Sequence, residues 1–153
     1  MSQAKCLEDY VVGQTFSSSE AIEVTADDII SFARQFDPQP GHISQEEAER
    51  TPFHGLSASG WHTAALTMKL LVELGFSGVI GAAVSLTWPT PTRPGDQLRL
   101  HLRVVGVRES ATKPDRGVVN LEYDTVNQSG EIRQHTQTTV IAWHRAALEA
   151  VSR

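Results

Sequence analysis

Cysteine is almost absent. Cys6 is the single one in 153 residues, so no disulfide can form within the chain. It stands near the N-terminus beside Lys5, Glu8 and Asp9 and reads as an incidental thiol. Metal-ligand patterns are missing too: there is no cysteine pair, and the six histidines show no HExxH spacing. GxGxxG, P-loop and GxSxG motifs are also missing, so nicotinamide, nucleoside-triphosphate and esterase-elbow readings lose their usual support. Basic residues are in the minority, 13 Lys and Arg against 18 Asp and Glu, for a formal charge of −5. Such a chain has no general basic face for nucleic acid. Long apolar runs are lacking as well. The most apolar stretch, Leu56 to Val84, is interrupted by Lys69, Glu73 and several glycines, which excludes a membrane span. Met1 to Asp9 carries acids and no apolar run, unlike a secretory signal. The expectation is a cytoplasmic protein that meets neither membrane nor nucleic acid.

What is present suits a soluble globular chain: 40% hydrophobic and 20% charged residues. The length predicts one domain over residues 1–153, with its core at about 11–143. Val11 to Val24 reads as an opening strand with a turn near Gly13. Thr25 is an N-cap, and Asp27 and Asp28 suit the first turn of a helix. That helix must stop near Phe36, because Pro38 disfavours helical geometry at Asp37. Ser44 and Glu47 form a capping box for a short helix ending at Thr51-Pro52.

Ser57 to Leu74 is the longest helical pattern, apolar over most of its circumference, with His62, Lys69 and Glu73 as a narrow polar stripe. A helix of that kind must be wrapped, and Gly75 ends it. Strands follow. Ile80 to Trp88 has apolar even positions. Leu98 to Val104 alternates with Arg99, His101 and Arg103, and Val119 to Thr125 alternates with Asn120, Glu122 and Asp124. Asn127 to Gly130 is a hairpin turn, and Ile132 to Trp143 pairs back. The tail from Arg145 reads as a frayed helix. A single long helix wrapped by a curved antiparallel sheet is an α+β arrangement, the hotdog. Its open sheet edge implies pairing between copies, hence a homodimer or higher homo-oligomer.

Two places could carry chemistry. Asp37 and His42 flank the stiff loop Pro38-Gln39-Pro40-Gly41. Extended, those five residues would span about 17 Å, so a turn is needed to bring both side chains to one substrate. A converging carboxylate and imidazole could hold one water and move its protons. On spacing alone, a capped helix end with a surface histidine is the stronger claim. The second place is His54-Gly55 and the small residues after it. Glycine lets a substrate approach the main chain, and the first turn of the next helix offers unpaired amides for an oxyanion. An ordinary loop into a capped helix explains the same residues equally well. Thr63 could add a hydroxyl there, though such residues usually bond back within their own helix. His62 reads as a solvated or interface histidine, and His101 as lying on the wet face of its strand.

These residues resemble a known family. Asp37-Pro38-Gln39-Pro40-Gly41-His42, then five residues and Ala48, resembles the signature of the MaoC-like dehydratases and (R)-specific enoyl-CoA hydratases, with Phe32 in its aromatic place. His54-Gly55 looks like that family's landmark at the helix start, and Arg93-Pro94-Gly95-Asp96 like its Gly-Asp turn. Phe36, Gln39 and Gly41 depart from the pattern; Gly41 implies a looser loop or a wider pocket.

The resemblance implies the hotdog fold and a hydro-lyase. That enzyme would hydrate a trans-2-enoyl-CoA, or dehydrate a 3-hydroxyacyl-CoA, with Asp37 and His42 as the catalytic pair. The Gly55 N–H would polarise the thioester carbonyl, and Thr63 would stand where the hydratases place a serine. No metal or redox cofactor is implied; coenzyme A arrives within the substrate, and Arg93 is the candidate at hand for its nucleotide end. Two other readings share the fold: an acyl-CoA thioesterase using Asp37 to activate water, and a non-catalytic acyl-thioester-binding subunit.

Overall fold

The computed structural model describes residues 5–76 and 80–151. Residues 1–4 of the segment compared with a signal, 77–79 of the apolar stretch and 152–153 of the tail lie outside these.

The chain opens with a 3-10 turn, Leu7–Asp9, and two short strands, β1 (Thr15–Ser17) and β2 (Ile22–Glu23). One long opening strand was expected; its alternation is too brief to hold one. Cys6 is not an incidental terminal thiol, because it is buried, and burial pushes its thiol up.

Helix α1 (Ala26–Phe36) starts where the cap predicted, with Thr25 Oγ1 accepting from the Asp28 N–H at 3.1 Å. It ends at Asp37, the residue before Pro38. The next segment is not a plain loop. Pro40–Ile43 forms one helical turn, α2, with Pro40 in the first position, where its missing N–H costs nothing. Helix α3 (Gln45–Ala48) follows on its Ser44 cap.

Helix α4 (Gly60–Glu73) is capped by Ser59, whose Oγ accepts from the Trp61 N–H at 3.2 Å. It starts three residues later than the expected Ser57. Gly75 follows it with φ +91°, closing the helix as predicted.

Strands β3 (Ile80–Thr87), β4 (Gln97–Glu109), β5 (Arg116–Val126) and β6 (Ile132–Trp143) join β1 in the sheet order β1-β4-β5-β6-β3, and β2 pairs with β4. All pairings are antiparallel. A bulge between Val104 and Gly106 bends β4, and others lie in β3 and beside Val126. The curved inner face carries Leu98, Leu100, Leu102, Val104, Val119, Leu121 and Tyr123, all buried, and Leu70 and Leu71 of α4 pack with them. The tail forms α5 (Arg145–Val151).

The wrapping of α4 differs from the expected one. His62, Thr63 and Thr67 are buried, whereas Trp61, Met68 and Val72 are exposed. The two threonines find partners inside. Thr63 Oγ1 lies 2.8 Å from Thr92 Oγ1, and Thr67 Oγ1 lies 2.7 Å from Thr125 Oγ1. β3 is an outer strand, and its Val84 is 63% exposed. The chain's own sheet thus covers one side of α4 and leaves the other bare.

Candidate active site

The structure brings Asp37 and His42 together. Asp37 sits at the C-cap of α1, and the α2 turn swings His42 back beside it. Asp37 Oδ2 lies 3.6 Å from His42 Nε2, both largely buried. That separation is too long for a direct hydrogen bond, so the two groups face each other without bonding.

Each side chain is aimed by a second contact. Ser59 Oγ donates to Asp37 Oδ2 at 2.6 Å, and Gln39 Nε2 donates to Asp37 Oδ1 at 2.7 Å. Burial pushes the Asp37 carboxyl up, but the Ser59 and Gln39 donors and nearby His42 outweigh it and hold the group below the usual carboxylate range. His42 Nδ1 lies 2.7 Å from the Ser57 carbonyl oxygen. A carbonyl only accepts, so Nδ1 carries a proton and the ring is oriented with Nε2 facing Asp37. Ser59 is a site residue that sequence reasoning missed. Its signal was weak, because no Glu or Gln stands three residues on to complete a capping box.

The loop between α3 and α4 completes the site. Gly55 has φ +140°, and a Cβ there would lie 3.4 Å from Arg93 Nη1, so the position needs glycine. Arg93 clamps the loop, donating to the Gly55 carbonyl at 2.8 Å, to the Leu56 carbonyl at 3.2 Å and to the Phe53 carbonyl. Its guanidinium is therefore engaged with the main chain. The Gly55 N–H is not the free amide expected: it donates to the Ala48 carbonyl at 3.2 Å. The Gly60 N–H, in the first turn of α4, has no acceptor among the described residues.

Thr63 is placed where the sequence suggested, though its hydroxyl is paired with Thr92. His42, Ser57, Gly60, Thr63, Trp88 and Arg133 line a cavity of about 320 Å³. Gly41 is buried, and a side chain there would meet Phe53 and Thr51 at ordinary contact distance.

Two further findings correct or extend the sequence reading. His62 is buried rather than solvated, with its ring stacked 4.7 Å from Phe32. Burial lowers its pKa, keeping it neutral. Arg133, unassigned from the sequence, forms a buried ion pair with Asp96 at 2.8 Å and also donates to Thr90 at 3.0 Å. It thereby fixes the Trp88–Asp96 turn over the cavity. His101 lies on the wet face as expected, 2.9 Å from Ser17 Oγ. Among the described residues, no group of three or more His, Cys, Asp or Glu is placed to hold a metal ion. Nor is any helix there long and apolar enough to cross a membrane.

Comparison with known proteins places this architecture. The uncharacterized protein YdeM of Bacillus subtilis is 34% identical over 127 residues, 80% of this chain and 87% of that protein. A 3-hydroxybutyryl-CoA dehydratase of Methylorubrum extorquens is 32% identical over 99 residues, 63% of this chain and 62% of that enzyme. The crystal structure of the MaoC-like dehydratase from Rhodospirillum rubrum superposes with a TM-score of 0.88 at 46% identity, covering 93% of this chain and 99% of that one. The curved antiparallel sheet and its long helix are thus the hotdog fold. The family model of the MaoC-like domain matches residues 9–127. With its acid and imidazole meeting at the mouth of α4, the chain belongs to the MaoC-like domain family.

Proposed function

We propose that this chain is a hydro-lyase that adds water to a trans-2-enoyl-CoA, or removes it from the corresponding 3-hydroxyacyl-CoA. The observation that carries the reading is the 3.6 Å approach of Asp37 Oδ2 to His42 Nε2, with His42, though not Asp37 or Gly55, lining the cavity. A carboxylate and an imidazole Nε2 turned toward the same water can between them accept its two hydrogens. The oxygen of that water attacks the β-carbon as its proton passes to the pair. The same proton then returns to the α-carbon from the same face, and both side chains end as they began.

The developing enolate oxygen needs donors near the start of α4, worth about 3–4 kcal/mol each by analogy with other oxyanion holes. The Gly55 N–H reaches that role only by releasing Ala48, whereas the Gly60 N–H has no acceptor among the described residues. Thr63 lines the same cavity and orients the bound thioester. Coenzyme A comes and goes with the substrate, and no separate cofactor takes part.

The working unit is a homodimer of a single-domain chain, in the cytoplasm. The free β3 edge and the bare Trp61, Met68 and Val72 face of α4 support that pairing. The test is to incubate the protein with crotonyl-CoA and longer enoyl-CoAs, following enoyl absorbance and free thiol together. Loss of absorbance without thiol release is expected. Thiol release alone would make the chain a thioesterase, and neither signal would leave it a binding subunit.

A further inference from the structure

A second and larger cavity lies one turn farther along α4. It has a volume of about 580 Å³, runs from Ala64, Thr67 and Met68 to Leu71 and Phe76, and opens to solvent between the exposed Met68 and Val72 of α4 and Val84 of β3. Thr63, Thr67 and Leu71 are spaced four apart, so the two cavities follow one face of the helix. Yet they share no lining residue. What stands between them is an indole and an amide. Trp88 lines the first cavity, Gln134 lines the second, and the Trp88 Nε1–H donates to Gln134 Oε1 at 2.9 Å.

Both halves of this partition are fixed. The Trp88 ring lies flush on the Gly60 backbone, where even a Cβ would come within 2.6 Å of it. Trp61 packs against it edge-on, with ring centroids 5.5 Å apart. Gln134 is 2% exposed, and its Nε2 donates to Thr136 Oγ1 at 3.0 Å, which points the amide oxygen at the indole. A buried amide on the inner face of a sheet needs partners, and here both of its ends are used to hold one ring in place.

We propose that Trp88, positioned by Gln134, sets the acyl-chain length: it stops the chain at the end of the His42 cavity and restricts the protein to short acyl thioesters. This rests on the acyl-thioester reading above. A thioester whose carbonyl lies by Gly60 has room for a few carbons before the indole. The apolar space beyond is cut off from the first cavity while the ring is held.

The test uses saturated thioesters, which cannot be hydrated, so that it reads the wall and not the chemistry. Butyryl-CoA and octanoyl-CoA are titrated calorimetrically into the wild type, Trp88→Ala and Gln134→Leu, with circular dichroism as the folding control. The wild type is expected to bind octanoyl-CoA about tenfold or more weaker than butyryl-CoA. Trp88→Ala should reverse that order, since an open passage rewards each methylene buried. Gln134→Leu keeps the ring and the volume but frees the indole, and it should narrow the preference; it decides the matter if Trp88→Ala does not fold. Equal or tighter octanoyl binding by the wild type would overturn the proposal. So would a preference unchanged in the folded variants, or binding of neither thioester. Selective butyryl binding without hydration of crotonyl-CoA would remove the hydro-lyase reading and leave the wall standing.

Discussion

Ser59 joins the fold to the site, and replacing it by alanine tests both at once. Its hydroxyl donates to Asp37 and accepts from the first turn of α4. Losing the cap costs about 1 kcal/mol. Losing a hydrogen bond to a charged group costs about 1.5–3 kcal/mol. Asp37 keeps a 19% exposed side chain, so water replaces part of the second loss. Ser59→Ala should therefore cost about 2–3 kcal/mol near neutrality, a large share of a typical stability of about 5–15 kcal/mol.

The pH dependence adds a sign. In the folded protein the Asp37 carboxyl sits below its ordinary value. Its contribution is present above the unfolded pKa and is lost as pH falls through the folded one. Without the Ser59 donor the folded value rises toward the unfolded one. The gap between wild type and variant should then be full near neutrality and shrink in acid. The acid limb of the pH–rate profile should move to higher pH. Urea unfolding across pH and the rate profile are the assays. Ser59→Thr, which keeps the hydroxyl, should keep the acid limb even though its extra methyl strains a fully buried site. An unchanged urea midpoint together with an unmoved acid limb in Ser59→Ala would refute this reasoning.

The Asp96–Arg133 pair is buried on both sides, so Asp96→Asn should cost about 3 kcal/mol, leaving the buried arginine only the 3.3 Å contact with Glu131 as an ion pair. The double variant with Arg133→Met should cost less than the sum of the single changes in a urea double-mutant cycle. His144 bridges Glu8 at 2.8 Å and Glu109 at 2.9 Å, and those two hydrogen bonds raise its pKa. Its contribution is full below the unfolded value and is lost as pH rises through the folded one. His144→Ala should thus destabilise more at about pH 5 than at about pH 9 in thermal melts.

The parts of the fold that could be read in the sequence were those governed by local chemistry. The Thr25 and Ser44 caps, the stop before Pro38 and the αL glycine at Gly75 act within a few residues, and each stands where expected. The alternation in β4 and β5 put the expected residues inside. What depended on partners distant in sequence was hidden. His62, Thr63 and Thr67 point inward because Phe32, Thr92 and Thr125 receive them. Periodicity counts only apolar positions, so it set His62 in the solvent. Two prolines suggested a loop, but Pro40 in the first helical position starts a turn instead. In the site, the motif pointed to Asp37 and His42, while Ser59 and Gln134 act through contacts 22 and 46 residues away.

The central claim is that Asp37 and His42 act on one water. Hydration of crotonyl-CoA and longer enoyl-CoAs by Asp37→Asn and His42→Ala, each checked for native circular dichroism, measures it most directly. The account predicts loss of activity by about 10²–10⁴-fold in either variant, with the double variant little worse than the singles. Folded variants that hydrate the wild type's substrate at near wild-type rates would contradict it.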